Sequence, residues 1–176
     1  MKNSCGAVLF CFVNHKIHII LGKEYQDYFH FKGTCTKSET LEQAAIREVY
    51  EETLGIVNVS RLPLLCTHVQ TKKKKYHLGL ICVQPSFVSQ FTSKRKRVLN
   101  NSLSQFSDKR FLEKQHVALF PLHDLPFMRY VTQEPINFFS SFLMSVQESI
   151  DLARESSRTQ LESSRVFEEC PDILPT

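Results

Sequence analysis

A single α/β domain is predicted, on three observations. Two apolar runs near the start, 5–13 (CGAVLFCFV) and 16–21 (KIHIIL), flank an Asn-His pair and read as two strands of a hairpin. Residues 40–52 carry the clearest helical pattern in the chain. Further on, two apolar segments separated by a lysine run read as a second strand pair. A chain of 176 residues suits one domain with a substantial core. Its 42% hydrophobic and 11% aromatic content is that of an ordinary globular protein. The longest apolar run is far short of the roughly 20 residues that span a bilayer. Lys2 before that run mimics a signal peptide, but no small-residue cleavage site follows.

The elements follow in order. Gly22–Tyr28 is polar and reads as a loop, Phe29–Phe31 as a short strand, and Lys32–Ser38 as a loop with turn residues. Thr40 is a good N-cap, and Gln43 three residues on completes a capping box. Glu42 lies near the positive end of the helix dipole. Ala45, Ile46 and Val49 share one arc, and Gly55 stops the helix. Leu62–Gln70 and Tyr76–Val83 read as strands around a Lys72–Lys75 hairpin tip. Ser86–Phe111 is Ser- and Asn-rich and basic, and reads as a long loop. Val117–Leu122 reads as a strand, and Asn137–Leu152 as an amphipathic helix bearing Phe138, Phe139, Phe142, Leu143, Val146 and Ile150. The domain is expected to cover 1–155, with 156–176 a polar, flexible tail.

Six cysteines at 5, 11, 35, 66, 82 and 170 form no CxxC and no zinc-like spacing, which points to a reducing compartment, the cytoplasm. The net charge of +4 conceals an asymmetry. From Thr53 to Ser107 there is no Asp or Glu but nine Lys/Arg, whereas from Val131 onward eight acids face three arginines. The basic block is either a solubilising surface or a polyanion site, with nucleic acid first among the partners and no membrane expected.

Glu48, Glu51 and Glu52 are spaced i, i+3, i+4, which puts three carboxylates on one helical face. Uncompensated, they repel; such a cluster of hard oxygen donors suits Mg²⁺ or Mn²⁺. Three acids alone would equally fit a solvated face partly paired with Arg47. Their surroundings are more specific. Gly33, five residues, Glu39, seven residues and then Arg47-Glu48-Val49-Tyr50-Glu51-Glu52 resemble the Nudix box, G-x5-E-x7-R-E-U-x-E-E-x-G-U with U aliphatic. One residue departs from it: Thr53 and Leu54 stand before Gly55, where the family has one residue. The helix is therefore expected to run on slightly before its glycine.

The resemblance to Nudix hydrolases implies an α/β/α sandwich with a mixed β-sheet and hydrolysis of a nucleoside diphosphate linked to another group. It assigns Glu48, Glu51 and Glu52 as metal ligands, with the Gly33 carbonyl as a further one. Arg47 and Glu39 would hold the ligand carboxylates in place. Phe29-His30-Phe31-Lys32-Gly33 resembles the Trp-x-Phe-Pro-Lys-Gly of mRNA-decapping members, without its proline. The same Lys-Gly occurs in diphosphoinositol-polyphosphate and dinucleoside-polyphosphate hydrolases. The run Ala45–Thr53 is similar to the box of the eukaryotic decapping subunit. Decapping enzymes of animals and fungi carry a helical regulatory domain ahead of this one, whereas here the first strand is expected near residue 5. Stand-alone decapping proteins of large DNA viruses are a looser comparison.

The decapping branch implies capped RNA as substrate and no DNA partner, with Lys72, Lys73, Lys74, Lys75, Lys94, Arg95, Lys96 and Arg97 as contacts to the RNA body. It also implies a downstream carboxylate as base, for which Glu113 is the candidate and Asp108 the fallback; Glu51 is the helix residue placed with it in catalysis. Tyr25, Tyr28, Phe29 and Tyr130 are candidates to stack on the cap. Small polyphosphates as substrates, or a non-catalytic RNA- or nucleotide-binding role, are the alternatives.

Overall fold

The computed structural model describes residues 2–64, 66–71, 74–101 and 109–127, with 143–144, 147–148, 150–152 and 154–155. Strands β1 (Lys2–Val13) and β2 (Lys16–Glu24) form the expected hairpin. Asn14 and His15 have φ of 48° and 65°, so both central residues of the turn are left-handed, as the twist of a two-residue hairpin favours. β2 runs on to Glu24, and β3 (Asp27–Phe29) returns beside it, so the polar 22–28 segment is mostly strand. His30 separates β3 from β4 (Phe31–Thr34). β5 (Cys66–Thr71) and β6 (Lys74–Cys82) pair antiparallel, with residues 62–64 irregular ahead of them.

β1 organises the sheet. It runs parallel to β6 on one side; on the other, Ser4–Ala7 pair with β4 and Leu9–Val13 with β2, both antiparallel. β7 (His116–Pro121) pairs with the outer side of β2. The mixed sheet is buried on both faces, which is why β1 reads as an unbroken apolar run rather than an alternation. Cys5, Ala7, Leu9 and Cys11 face a core made with Ala44, Ala45, Val49, Phe87 and Phe91. Val8 faces the opposite core with Ile17, Ile19, Leu21, Leu78, Phe120 and Leu143. The result is an α/β/α sandwich.

Helix α1 (Leu41–Glu52) has its capping box: the Gln43 N–H donates to Thr40 Oγ1 at 3.1 Å, and the Thr40 N–H to Gln43 Oε1 at 2.8 Å. The additional residue does not lengthen it. The helix ends at Glu52, and Leu54 and Gly55 take φ of 57° and 70° in a left-handed turn. That conformation is uncommon for a leucine. Full burial of Leu54 in the core, with the Gly55 N–H on the Tyr50 carbonyl at 2.7 Å, holds it there. The turn is closed by Thr53, whose hydroxyl donates to the Val49 carbonyl at 2.6 Å.

The Ser86–Phe111 segment is not a long loop. Helix α2 (Phe87–Asn100) occupies most of its described part, followed by a 3-10 turn at Lys109–Leu112. Only Phe87, Phe91 and Val98 of α2 are buried, so the apolar stripe is too sparse to stand out among serines and basic residues. The described residues between 143 and 155 are helical, and they dock on the hairpin. The Ile17 N–H donates to Gln147 Oε1 at 2.7 Å, and Lys16 pairs with Asp151 at 2.8 Å. The earlier part of the expected 137–152 helix and the 156–176 tail lie outside the described residues. No helix among the described residues is long and apolar enough to cross a membrane.

Candidate active site

Two cationic hubs organise the acids around α1. The first is Arg47, held against the loop before the helix. Its Nε and Nη2 donate to the two Glu39 oxygens at 3.0 and 2.8 Å, and Nη2 also reaches the Thr34 carbonyl at 3.1 Å. Nη1 lies 2.8 Å from Glu48 Oε1 and 3.1 Å from Glu51 Oε2. This bidentate fork holds the Glu39 pKa down to about 2, chiefly through its hydrogen bonds. Glu39 also accepts from the Thr36 N–H at 2.7 Å, which fixes the loop.

Glu48 sits against Gly33. A Cβ there would lie 2.1 Å from Glu48 Oε2, so the carboxylate reaches its position only because β4 presents a glycine. Burial raises the Glu48 pKa despite the arginine. The Gly33 carbonyl accepts from Ser4 Oγ at 3.0 Å, and Gly33 pairs with Cys5 in the sheet. Arg47→Lys is expected to lower activity at least tenfold, because an ammonium cannot span Glu39, Glu48 and Glu51 as the fork does. Activity equal to the parent's would show that the fork is dispensable.

The second hub is Lys114, which no local pattern in the sequence marks. Glu52 is buried, and its Oε2 accepts the Lys32 N–H at 2.8 Å and lies 3.5 Å from Lys114 Nζ. Burial pushes the Glu52 pKa up to about 8, with the lysine opposing. Lys114 also pairs closely with Glu24. One oxygen each of Glu24, Glu52 and Glu113 lie within 4.8 Å of one another. Glu113 thus reaches the box helix from just before β7, and burial followed by Glu24 raises its pKa. The structure therefore divides the three helix acids. Glu48 and Glu51 lie on Arg47, while Glu52 meets two acids from outside the helix.

Glu24 is the acid of the site that the sequence did not point to. Its partners come from register alone: Gly22 and Lys23 oppose Val117 and His116, and the Gln115 N–H reaches the Lys23 carbonyl at 2.8 Å. That pairing lays residues 113–115 beside 22–24. Asp108 and Tyr130 lie outside the described residues. Tyr28 is engaged in packing, its hydroxyl 2.6 Å from His116 Nε2 and its ring edge-on to Phe120. Tyr25 is 87% exposed on the turn between β2 and β3. Lys32 lies 5.6 Å from the Phe29 ring.

The basic clusters take new positions. Lys94, Arg95, Lys96 and Arg97 stand on α2, with Lys96 and Arg97 exposed. Arg95 Nε donates to the Lys114 carbonyl at 3.0 Å, so it braces the segment beside Glu113. Lys74 and Lys75 begin β6, whereas Lys72 and Lys73 lie outside the described residues.

The profile of the NUDIX domain matches residues 5–138. No curated protein matches the chain in sequence. Among solved structures, the chain is similar to a mutT/nudix family protein from Listeria innocua, at 15% identity and TM-score 0.57, covering 86% of this chain and 97% of that one. It is similar also to the Ap4A hydrolase of C. elegans, at 19% identity and TM-score 0.54, covering 82% and 99%. A third is the NUDIX domain of Shewanella oneidensis NrtR, solved with ADP ribose, at 15% and 0.54, covering 81% and 86%. At such identities the likeness is one of fold; the profile match over most of the chain identifies this protein as a member of the Nudix hydrolases, pyrophosphohydrolases that act on phosphoanhydride bonds.

Proposed function

We propose that this chain is a divalent-metal-dependent pyrophosphohydrolase that cleaves the triphosphate bridge of capped RNA, giving a methylated GDP and a 5′-monophosphate RNA. The observation that carries the hydrolytic part is the convergence of Glu24, Glu52 and Glu113 oxygens within 4.8 Å, beside Glu48 on Gly33. Carboxylates clustered in a partly buried site are the donor set that Mg²⁺ or Mn²⁺ prefers. Glu52, Glu24 and Glu48 would hold such an ion, with Glu51 and the Gly33 carbonyl at the margin. When bound, the ion would neutralise phosphate oxygens and acidify a water.

The protein's own groups do the rest. Arg47 and Glu39 keep the Glu48 and Glu51 carboxylates from turning outward. Glu113 is the most exposed acid of the triad and is suited to take the proton of the attacking water. Its raised pKa brings it closer to neutral pH, where a general base works best. Glu113→Gln is expected to lower kcat by about 10²–10⁴ with little change in substrate affinity. If it is silent and Asp108→Asn is not, the base is Asp108; if both are silent, it lies in α1.

Capped RNA is favoured by the exposed Lys96 and Arg97 on α2, whose neighbour Arg95 is anchored beside the Glu113 segment. Dinucleoside or diphosphoinositol polyphosphates are the second reading. What favours it is that Arg95 is spent internally, which leaves a smaller cationic surface than the basic run on its own would offer. Lys96 and Arg97 changed together to Ala, with Arg95 left intact, are expected to weaken binding of long capped RNA. The salt slope should fall by about 0.7 for each phosphate no longer neutralised. Hydrolysis of free cap dinucleotide should stay as it was. Product analysis with cap-labelled RNA, a dinucleoside polyphosphate and an inositol pyrophosphate in parallel tests the assignment. Turnover of the small substrates alone would replace capped RNA with one of them.

A further inference from the structure

A cavity of about 230 Å³ lies between α2 and the segment that leads into β7. Thr92, Arg95, Lys96, Leu99, Gln115 and His116 are among its walls. On α2 these positions recur at three- and four-residue intervals, so one helical face turns toward the cavity. Arg95 is fixed there by the Lys114 carbonyl, 3.0 Å from its Nε. His116 is fixed by the Tyr28 hydroxyl, 2.6 Å from its Nε2. Burial, then Lys23 and Arg95, hold the His116 pKa below its ordinary 6.5, so the ring is neutral at pH 7. Lys96 and Leu99 stand at the open side, Leu99 at 53% exposure. Among the described residues, no acid lines the cavity.

Two cations, no acid and an exposed leucine beside them suit a nucleotide: the phosphate meets the charges, and the base lies on the apolar wall. The position relative to the acid cluster is set by the chain. Gln115 follows Glu113 by two residues, so their Cα atoms are at most about 7 Å apart, a distance that one nucleotide spans. On the capped-RNA reading above, on which this inference rests, either end of the cleaved bridge could lie here. Charge decides between them. The methylated guanine of a cap is itself cationic and is repelled by Arg95 and Lys96. The first nucleotide of the RNA pairs a neutral base with an anionic phosphate. We propose that the α2 cavity holds the first nucleotide of the RNA chain, and that the cap binds outside it.

The test is binding of a 5′-phosphorylated RNA dinucleotide to the full chain, by isothermal titration calorimetry in metal-free buffer, where no ion can bridge its phosphates to the acids. Lys96→Glu is expected to weaken binding at least about tenfold, by reversing the charge that meets the phosphate. Leu99→Ala should weaken it at least about threefold, through lost contact with the base. Both side chains are exposed, so neither change disturbs the core. Arg61→Glu makes the same change in net charge at an exposed position outside the cavity walls, and should leave the affinity within about twofold at 0.15 M salt. Parental affinity in Leu99→Ala, or equal losses in Lys96→Glu and Arg61→Glu, overturns the proposal, because a plain basic surface behaves in that way. Methylated GDP is titrated in parallel. If Leu99→Ala weakens it as much as the dinucleotide, the cap occupies the cavity and the proposal is overturned. Cleavage of cap-labelled RNA by a parent that does not bind the dinucleotide removes this proposal alone. Dinucleotide binding without such cleavage removes the capped-RNA reading, and this assignment with it.

Discussion

Glu52→Gln is expected to abolish turnover, by at least a factor of about 10³, while making the metal-free protein more stable at pH 8. The two effects have one source. Glu52 is buried at the end of α1, and desolvation raises its pKa from the ordinary 4.5 to about 8. In the unfolded chain the same carboxyl is hydrated and ionises near 4.5. Between these values the folded state holds the proton more tightly than the unfolded one. The metal-free parent should therefore lose stability as pH rises from about 4.5 to about 8. Glutamine keeps an acceptor for the Lys32 N–H but never ionises, so its melting temperature should fall less over that window. A divalent ion competes with the proton, so Mg²⁺ or Mn²⁺ should raise the parent's melting temperature increasingly toward pH 8 and the variant's little. Thermal melts at pH 5 and pH 8, with and without metal, check both parts. Parallel pH profiles for the two proteins, or an active variant, would remove Glu52 from the metal site.

Gly33→Ala should have the second largest effect, through geometry rather than charge. The new methyl would overlap the Glu48 carboxylate, at 2.1 Å from Oε2 and 2.2 Å from Cδ. β4 cannot retreat, because Gly33 pairs with Cys5 and its carbonyl accepts from Ser4 Oγ. Glu48 must swing away and lose its place between Arg47 and the remaining acids. A displacement of about 1 Å in a catalytic group can cost about 10²-fold in rate, and a loss of at least that size is expected. Stability should change far less, since Glu48 can turn toward water. Near-parental kcat in Gly33→Ala would mean that Glu48 lies outside the working site.

Much of this was legible in the chain because it depends on local spacing. The Asn14-His15 turn, the Thr40–Gln43 capping box and the i, i+3, i+4 acids are set within a few residues, and the structure forms the turn and the cap as read. The Gly33, Glu39 and Arg47 spacing is likewise a property of one short strand, the loop after it and one helix: Gly33 lies against Glu48, and Glu39 holds the Arg47 that pairs with Glu48 and Glu51. Helix α2 escaped because three buried positions in fourteen give a faint stripe, and the Leu54 turn because only burial stabilises its left-handed backbone. What the tertiary structure alone decided is the other half of the site. Glu24 and Lys114 lie 90 residues apart in the chain. They meet Glu52 because the antiparallel register of β2 and β7 lays 113–115 beside 22–24, and because Gly22 leaves room for a lysine stem. Register is a choice among pairings that differ by whole-sheet burial, so no window of sequence around either residue could state it.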